Sequence, residues 1–196
     1  MKVLFSQWMR ELDLDAINKT GIPSIVLMEN ASRGTAQIIR DEFPVNKYSS
    51  LILFIGPGNN GGDGIAIGRI LAQWGYDPLF LFLTDPEKLS GDPAVNFNII
   101  KNLGLRYSEI HGSRELKDII KSYSHTDTVF IDAIFGTGMK RAVTEGSYFE
   151  IINAINEAKF KIVSIDLPSG LSDFFPPSEG TMVKPDITIT FQVLKI

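Results

Sequence analysis

The chain has no cysteine in its 196 residues, and that absence excludes a disulfide framework, a thiolate zinc site and a cysteine nucleophile. Such a chain fits a reducing compartment, and a cytoplasmic location is expected. Histidine is nearly as scarce. His111 and His125 stand alone, outside any triad or ligand cluster, so both read as surface residues. Long apolar runs are missing too: Leu79-Phe80-Leu81-Phe82-Leu83 is far shorter than the roughly 20 residues a membrane span needs, and the amino terminus carries no signal-peptide pattern. Nor is there a basic excess. With 19 basic against 23 acidic residues the net charge is −4, and the pI near 5.2 argues against nucleic-acid or membrane-surface partners that rely on counterion release or anionic lipid. Small-molecule chemistry remains. At 44% hydrophobic content, with no linker, repeat or low-complexity segment, residues 1–196 read as one domain able to bury a core.

What is present is a change of rhythm. Two amphipathic helices are predicted first, one over Ser6 to Asn18 and one entered through Pro23, a residue well tolerated at a first helical position. In the second, Ile25, Met28, Ala31, Ser32, Thr35, Ala36 and Ile39 recur at three- and four-residue steps and make one buried stripe. After Ser50, short β-branched and aromatic runs appear at 51–55, 79–83, 106–110, 128–131, 161–165 and 187–191. Helical stretches at 64–74, 86–103, 113–123 and 145–158 separate the first five. Strand and helix in alternation predict an α/β fold with a mostly parallel, doubly wound sheet covered on both faces. Ligands of such sheets sit beyond the carboxyl ends of the strands, where strand order reverses.

The ends of the first, fourth and fifth predicted strands are polar in a way the second and third are not. The first runs into Gly56-Pro57-Gly58-Asn59-Asn60-Gly61-Gly62-Asp63-Gly64, with five glycines in nine residues. These permit positive φ and let backbone N–H groups approach an anion, while the apolar residues that follow, from Ile65 to Leu71, start a helix whose positive end favours phosphate. The segment satisfies GxGxxG, a weak pattern by itself, and Pro57 lacks an N–H; no Lys-Ser or Lys-Thr follows, so a P-loop fails. Glycines placed for packing alone are the plainer reading, but a turn has no need of Asn59, Asn60 and Asp63. The fourth strand ends in Asp132 and then Phe135-Gly136-Thr137-Gly138-Met139-Lys140-Arg141-Ala142, the fifth in Asp166-Leu167-Pro168-Ser169-Gly170-Leu171. One carboxylate there could anchor a cation and the other could move protons, against the plainer role of a cap or turn residue. Asn60, Asp132 and Ser169 offer only hard oxygens, which suit an alkali or alkaline-earth ion and not zinc or copper. Lys140 and Arg141 after a Gly-Thr-Gly turn could clamp phosphate, or stand as solvated surface charges. By contrast Thr84-Asp85 and His111-Gly112 are ordinary turn chemistry.

Four blocks in one order, Leu27-Met28-Glu29-Asn30-Ala31, Gly58-Asn59-Asn60-Gly61-Gly62-Asp63-Gly64, Asp132-Ala133-Ile134-Phe135-Gly136-Thr137-Gly138 and Asp166-Leu167-Pro168-Ser169-Gly170-Leu171, resemble the YjeF N-terminal domain, the NAD(P)HX epimerases. The resemblance spans nearly the whole chain, up to Val183-Lys184-Pro185-Asp186-Ile187-Thr188-Ile189-Thr190-Phe191. It implies a Rossmann-like three-layer α/β/α sandwich with two N-terminal helices. The implied protein is a homodimer that interconverts the R and S forms of hydrated NADH and NADPH, working with an ADP- or ATP-dependent S-specific dehydratase. It implies substrate contacts at Asn59, Asn60, Gly61, Gly62, Asp63, Gly136, Thr137, Gly138, Met139, Lys140, Arg141, Ala142 and Asp166, and a potassium ion held by Asn60, Asp132 and Ser169. Asp166 is then the candidate general acid/base, and Lys140 the group that holds phosphate or polarises the reacting hydroxyl.

Two departures stand out. The family commonly reads Asn-Ala-Asp-Thr-Gly after the Pro-Ser-Gly-Leu block, whereas here Ser172-Asp173-Phe174-Phe175-Pro176-Pro177 follows, and the family's Pro-Lys near the end is Leu194-Lys195. No dehydratase domain follows, so the expectation includes a fragment of a longer, fused chain. Two other classes are weighed: a catalytically silent dimerisation or RNA-processing scaffold of the same fold, disfavoured by the retention of Asn60, Asp132 and Asp166, and an NAD(P)-binding oxidoreductase. The second lacks its apparatus, since no His or Tyr-Lys pair falls near the predicted crevice.

Overall fold

The computed structural model describes residues 3–4, 6–191 and 194–195. Strand β1 (Val3–Leu4) precedes two helices, α1 (Ser6–Thr20) and α2 (Ser24–Glu42). Thereafter strands and helices alternate: β2 (Ser50–Ile55), α3 (Asn59–Gln73), β3 (Asp77–Phe82), α4 (Gly91–Asn102), β4 (Arg106–Glu109), α5 (Ser113–Ile120), β5 (Thr128–Ala133), α6 (Gly146–Glu157), β6 (Lys161–Ile165) and β7 (Ile187–Ile189). The last strand, β8 (Leu194–Lys195), pairs in parallel with β1. The six strands between form one sheet of order β4-β3-β2-β5-β6-β7, parallel at every pairing. This is the doubly wound Rossmann-like architecture expected from the alternation, and the parallel character is complete.

Period-two alternation explains how both faces are covered. Along β2, Leu51, Leu53 and Ile55 enter the core shared with α2, α3 and α4, while Ile52 and Phe54 enter the core beneath α5 and α6. All five are fully buried, as a strand sandwiched between two helical layers requires. The same alternation sets Val129, Ile131 and Ala133 of β5 on the first face and Phe130 on the second. By parity, Asp132 of β5 and Ser164 of β6 fall on the second face, and the register pairs them directly. From β2 the chain winds through α3 to β3 on one side, and it later returns to β5 on the other side. The reversal of strand order therefore lies between β2 and β5, and their carboxyl ends are where such a sheet holds its ligand.

The second helix matches its predicted stripe: Met28, Ser32, Thr35, Ala36 and Ile39 are buried, with Ile25 and Ala31 half-buried. Pro23 is the N-cap of α2, one residue before the first helical position. The stretch 86–103 is not a single helix. A short 3₁₀ turn at Pro86–Lys88, capped by the Asp85 carboxylate accepting from Glu87 N–H at 3.0 Å, precedes α4.

The largest difference from the sequence expectation concerns the glycines. Helix α3 begins at Asn59, five residues earlier than Gly64, so the amides and Asp63 lie inside its first turns. None of Gly56, Gly58, Gly61, Gly62 or Gly64 has positive φ. Their work is close approach. A Cβ on Gly56 would stand 1.8 Å from the Ile134 carbonyl oxygen, and one on Gly64 would stand 2.4 Å from Ala133 Cβ. Gly61, Gly64 and Gly68 follow at helical steps, so one bare stripe lets α3 lie directly on the sheet above β2 and β5.

Candidate active site

Three strand ends meet at the reversal point through one hydrogen-bond network. Asp132 is fully buried. Its Oδ2 accepts from the Ser164 hydroxyl at 2.7 Å and from Ser169 N–H at 2.9 Å; its Oδ1 accepts from the Ser169 hydroxyl and from Ile134 N–H at 3.3 Å. Ser169 Oγ in turn accepts Phe135 N–H at 2.8 Å, and the Asn60 side-chain amide donates to the Phe135 carbonyl at 3.0 Å. Asn60 on α3, Asp132 after Val129, Phe130 and Ile131 on β5, and Ser169 beyond β6 thus belong to one connected cluster. Four donors on two oxygens suit an acceptor-only carboxylate. Burial nevertheless pushes the Asp132 carboxyl above its usual range, against the pull of the Ser169, Ser164 and Ile134 hydrogen bonds. Among the described residues no Lys or Arg pairs with it.

One polar atom in this cluster is left over. Asn60 Oδ1 is buried and has no hydrogen-bond partner, and Gly136 is so close that its Cβ would lie 3.4 Å from that oxygen. Leaving a buried acceptor unsatisfied costs about 1–3 kcal/mol, so a group that binds oxygen is the natural complement. No group of three or more His, Cys, Asp or Glu is gathered among the described residues. Any ion here would be held by neutral oxygens around a single carboxylate.

Asp166 is presented differently. Its φ is +66°, in the left-handed region that side-chain-bearing residues seldom occupy. Leu167 N–H donates to Ile165 O at 2.9 Å, closing a three-residue turn with Asp166 at its centre, while Asp166 N–H donates to Ile189 O at 2.8 Å. A γ-turn of positive φ is rare and strained, at a cost of order 1–3 kcal/mol. The pairing to β7 and the packing of Leu167 impose it. Asp166 is 7% exposed, directly after β6, two residues beyond Ser164 and three before Ser169.

The phosphate-binding features are backbone and cation together. Gly58, the N-cap of α3, provides no side-chain cap, so the N–H groups of Asn59, Asn60 and Gly61 are available at a helix N-terminus on the crevice. Asn59 is exposed, whereas Asn60, Gly61, Gly62 and Asp63 are buried. Across the reversal point, Phe135, Gly136, Thr137 and Met139 are half-buried, and Gly138, Lys140 and Arg141 are exposed. Neither Lys140 nor Arg141 pairs with a carboxylate among the described residues. The loop after β6 folds onto this segment through Ser172, whose hydroxyl donates to Met139 O at 2.8 Å, and onto itself at Gly170, at φ +102°, where a Cβ would lie 2.2 Å from Thr181 O.

Two residues escaped the sequence reading. Ser164 is a lone hydroxyl inside the apolar run Lys161-Ile162-Val163-Ser164-Ile165, a polar interruption that could have flagged it as the partner of a buried group. Phe135 acts through its backbone, which no side-chain pattern reveals. A rival depression of about 470 Å³, lined by Asn153, Asn156, Glu157, Thr181 and Lys184 among others, lies between α6 and residues 177–184. Its amides are already used, since Asn153 accepts from the Thr181 hydroxyl at 2.7 Å and Asn156 bridges Met182 O and Lys184 N–H at 2.9 and 2.8 Å. His111 and His125 are exposed, and among the described residues neither hydrogen-bonds to the Asp132 cluster.

Residues 24–196 match the model of the YjeF-related protein N-terminus. The NAD(P)H-hydrate epimerase of Limosilactobacillus reuteri is 35% identical over 195 residues, covering 100% of this chain and 86% of the relative. That of Levilactobacillus brevis is 36% identical over 185 residues, 94% of this chain and 80% of the relative. The bifunctional NAD(P)H-hydrate repair enzyme of Moorella thermoacetica is 36% identical over 189 residues, 96% of this chain but 35% of the relative. Among solved structures, yeast ynu0 superposes with a TM-score of 0.80 at 22% identity, over 99% of this chain and 82% of that one, a likeness of fold.

Proposed function

This chain belongs to the YjeF-related N-terminal family, and we propose from that membership that it is an NAD(P)H-hydrate epimerase, an isomerase of cofactor repair that interconverts the R and S hydrates of NADH and NADPH. The observation that carries the reading is the meeting of Asn60, Asp132 and Ser169 in one cluster where strand order reverses, with Asp166 on the adjoining strand end. A silent scaffold of the same fold would have no need of a buried, hydrogen-bonded carboxylate or of a strained aspartate at the next strand end. A hydride-transferring oxidoreductase would need a proton donor of the His or Tyr-Lys type, and the crevice residues described above include none.

In the hydrate, C6 of the nicotinamide ring bears a hydroxyl next to the ring nitrogen. Such a hemiaminal centre loses its configuration through an iminium or a ring-opened form, and either route carries a proton to and from that oxygen. Asp166 is the group that carries it, and transfer by a positioned acid/base contributes about 10²–10⁴-fold. The first-turn amides of α3 and the cations Lys140 and Arg141 hold the pyrophosphate, so the reactive ring is fixed by the part of the molecule that does not react. Arg141 and Lys140 supply charge, the segment from Gly136 to Ala142 supplies close backbone approach, and Asp63 lies one turn into α3 behind the amides. The expected assembly is a homodimer. The hydrate restored to S is the substrate of an ADP- or ATP-dependent dehydratase, and the existence of relatives named bifunctional NAD(P)H-hydrate repair enzymes supports a partner that can be fused.

Potassium fits the cluster. The buried Asn60 Oδ1, the Asp132 carboxylate and Ser169 Oγ are hard oxygens around one negative charge that no Lys or Arg among the described residues pairs, the donor set an alkali ion takes. When bound, the ion would neutralise Asp132 and pin the three strand ends together. Its expected consequence is a higher unfolding midpoint in potassium chloride than in choline chloride at equal ionic strength. A ligand at 100 times its Kd adds about 2.7 kcal/mol, and equal midpoints in the two salts would count against the ion. The function itself is tested by incubating the protein with R-hydrate and following the S form by chromatography. Conversion above the spontaneous rate is expected, and conversion at the spontaneous rate would refute the reading.

No helix among the described residues is long and apolar enough to cross a membrane.

A further inference from the structure

We propose that Ser172 is a positioning residue for the anion-binding loop, acting through Met139 on Lys140; the inference rests on the epimerase reading for the identity of the substrate. Ser172 stands where this chain departs from the family's Asn-Ala-Asp-Thr-Gly sequence, and no turn requirement alone explains its contacts. Its hydroxyl donates to the Met139 carbonyl at 2.8 Å, and its Oγ accepts Phe174 N–H at 3.2 Å. The Met139 carbonyl belongs to the peptide plane whose other end is the Lys140 N–H. Fixing one end of a planar unit fixes the other, so the Ser172 hydroxyl sets the direction of the Lys140 amide and the origin of its side chain.

A second tether lies four residues on. Val143 O accepts Thr181 N–H at 2.8 Å, and Gly180 sits so close that a Cβ would lie 2.7 Å from the same oxygen. The segment Lys140-Arg141-Ala142 is therefore strung between two anchored carbonyls, both held by the loop that follows β6. Lys140 and Arg141 are exposed and make no ion pair among the described residues. Cations on a loop fixed at both ends lose less freedom when phosphate binds than the same cations on a slack loop. Ser172 also links this loop to Asp166, since the two lie six residues apart on one continuous segment whose bend at Gly170 is fixed by its packing against Thr181 and Met182. Pyrophosphate binding and proton transfer thus share one frame.

The experiment measures binding apart from turnover, with NADPH and inorganic pyrophosphate as probes, by calorimetry on the whole chain. Ser172→Ala removes both hydrogen bonds of the hydroxyl, of which the one to Met139 O is the tether, and is expected to weaken both probes by about three- to tenfold. Ser172→Thr keeps the hydroxyl and is expected to restore binding. With R-hydrate as substrate, the loss should fall on KM more than on kcat. Lys140→Ala supplies the decisive arm: if Ser172 acts through Lys140, Ser172→Ala added to Lys140→Ala weakens the probes little further. Unchanged affinity in Ser172→Ala, fully additive losses in the double variant, or failure of the wild type to bind either probe would each overturn the proposal. Wild-type protein that binds both probes yet does not epimerise would instead overturn the function reading and leave the tether standing.

Discussion

Asp166→Asn is expected to lower R-to-S conversion by about 10²–10⁴-fold, the ordinary worth of a positioned acid/base, while the unfolding midpoint stays where it is. The two halves of that expectation have separate causes. Asparagine cannot exchange a proton near neutral pH, so the hydroxyl at C6 loses its carrier. Yet asparagine and aspartate are the side-chain-bearing residues that best tolerate φ near +60°, because a short polar side chain can bond locally. The γ-turn that Leu167 N–H closes on Ile165 O can then persist around the substitution. A β-branched residue at the same position would add backbone strain to the chemical loss and confuse the two. The measurement is the time course of the S form above the spontaneous background, with a thermal melt of each protein. Wild-type conversion by Asp166→Asn would remove the carboxylate from the mechanism, and a collapsed melt would mean that the turn needs the charge.

How much of this was legible beforehand depends on which physical signal each element gives. Strands β2, β5 and β6 were readable because they are largely apolar on both faces and lead into polar loops, and that contrast also located the reversal point. The helices that cover them were readable by their three- and four-residue steps, most clearly in α2. Helix α3 was misjudged at its start for a reason that generalises: glycine lowers helix propensity, so a run rich in it reads as a turn, whereas here packing against β2 and β5 overrides propensity. The two-residue strands β1 and β8 are too short to show any period. In the candidate site, Asn60, Asp132, Asp166 and Ser169 could be named from their places at strand ends. Their connection through Phe135 could not, because it runs through a backbone amide and carbonyl. The strain at Asp166 was equally invisible, since it is imposed by pairing with Ile189, more than twenty residues away in sequence.

The same packing argument gives the largest expected effect on stability. Gly56→Ala would place a Cβ 1.8 Å from Ile134 O and 2.6 Å from Ile134 C, both backbone atoms of the neighbouring strand end. A flexible side chain could swing aside, but a backbone carbonyl two residues beyond Asp132 cannot move without parting β2 from β5. Gly56 N–H would then lose Ala133 O, to which it now donates at 3.1 Å. Overpacking of a core typically costs about 1–3 kcal/mol, and a clash with the backbone of the neighbouring strand end belongs at or above the top of that range. Because the parting occurs at the reversal point, Asn60 would also lose the Phe135 carbonyl it now reaches at 3.0 Å. Activity should therefore fall even at temperatures where the variant remains folded. Gly58→Ala is the matched control: two residues away, exposed, at φ −100°, it has nothing within 4 Å of the added Cβ. Its change is expected to stay within about 0.5 kcal/mol. Denaturant melts of the two variants discriminate sharply, because a glycine needed for chain bending would penalise both, whereas one needed for close approach penalises Gly56 alone.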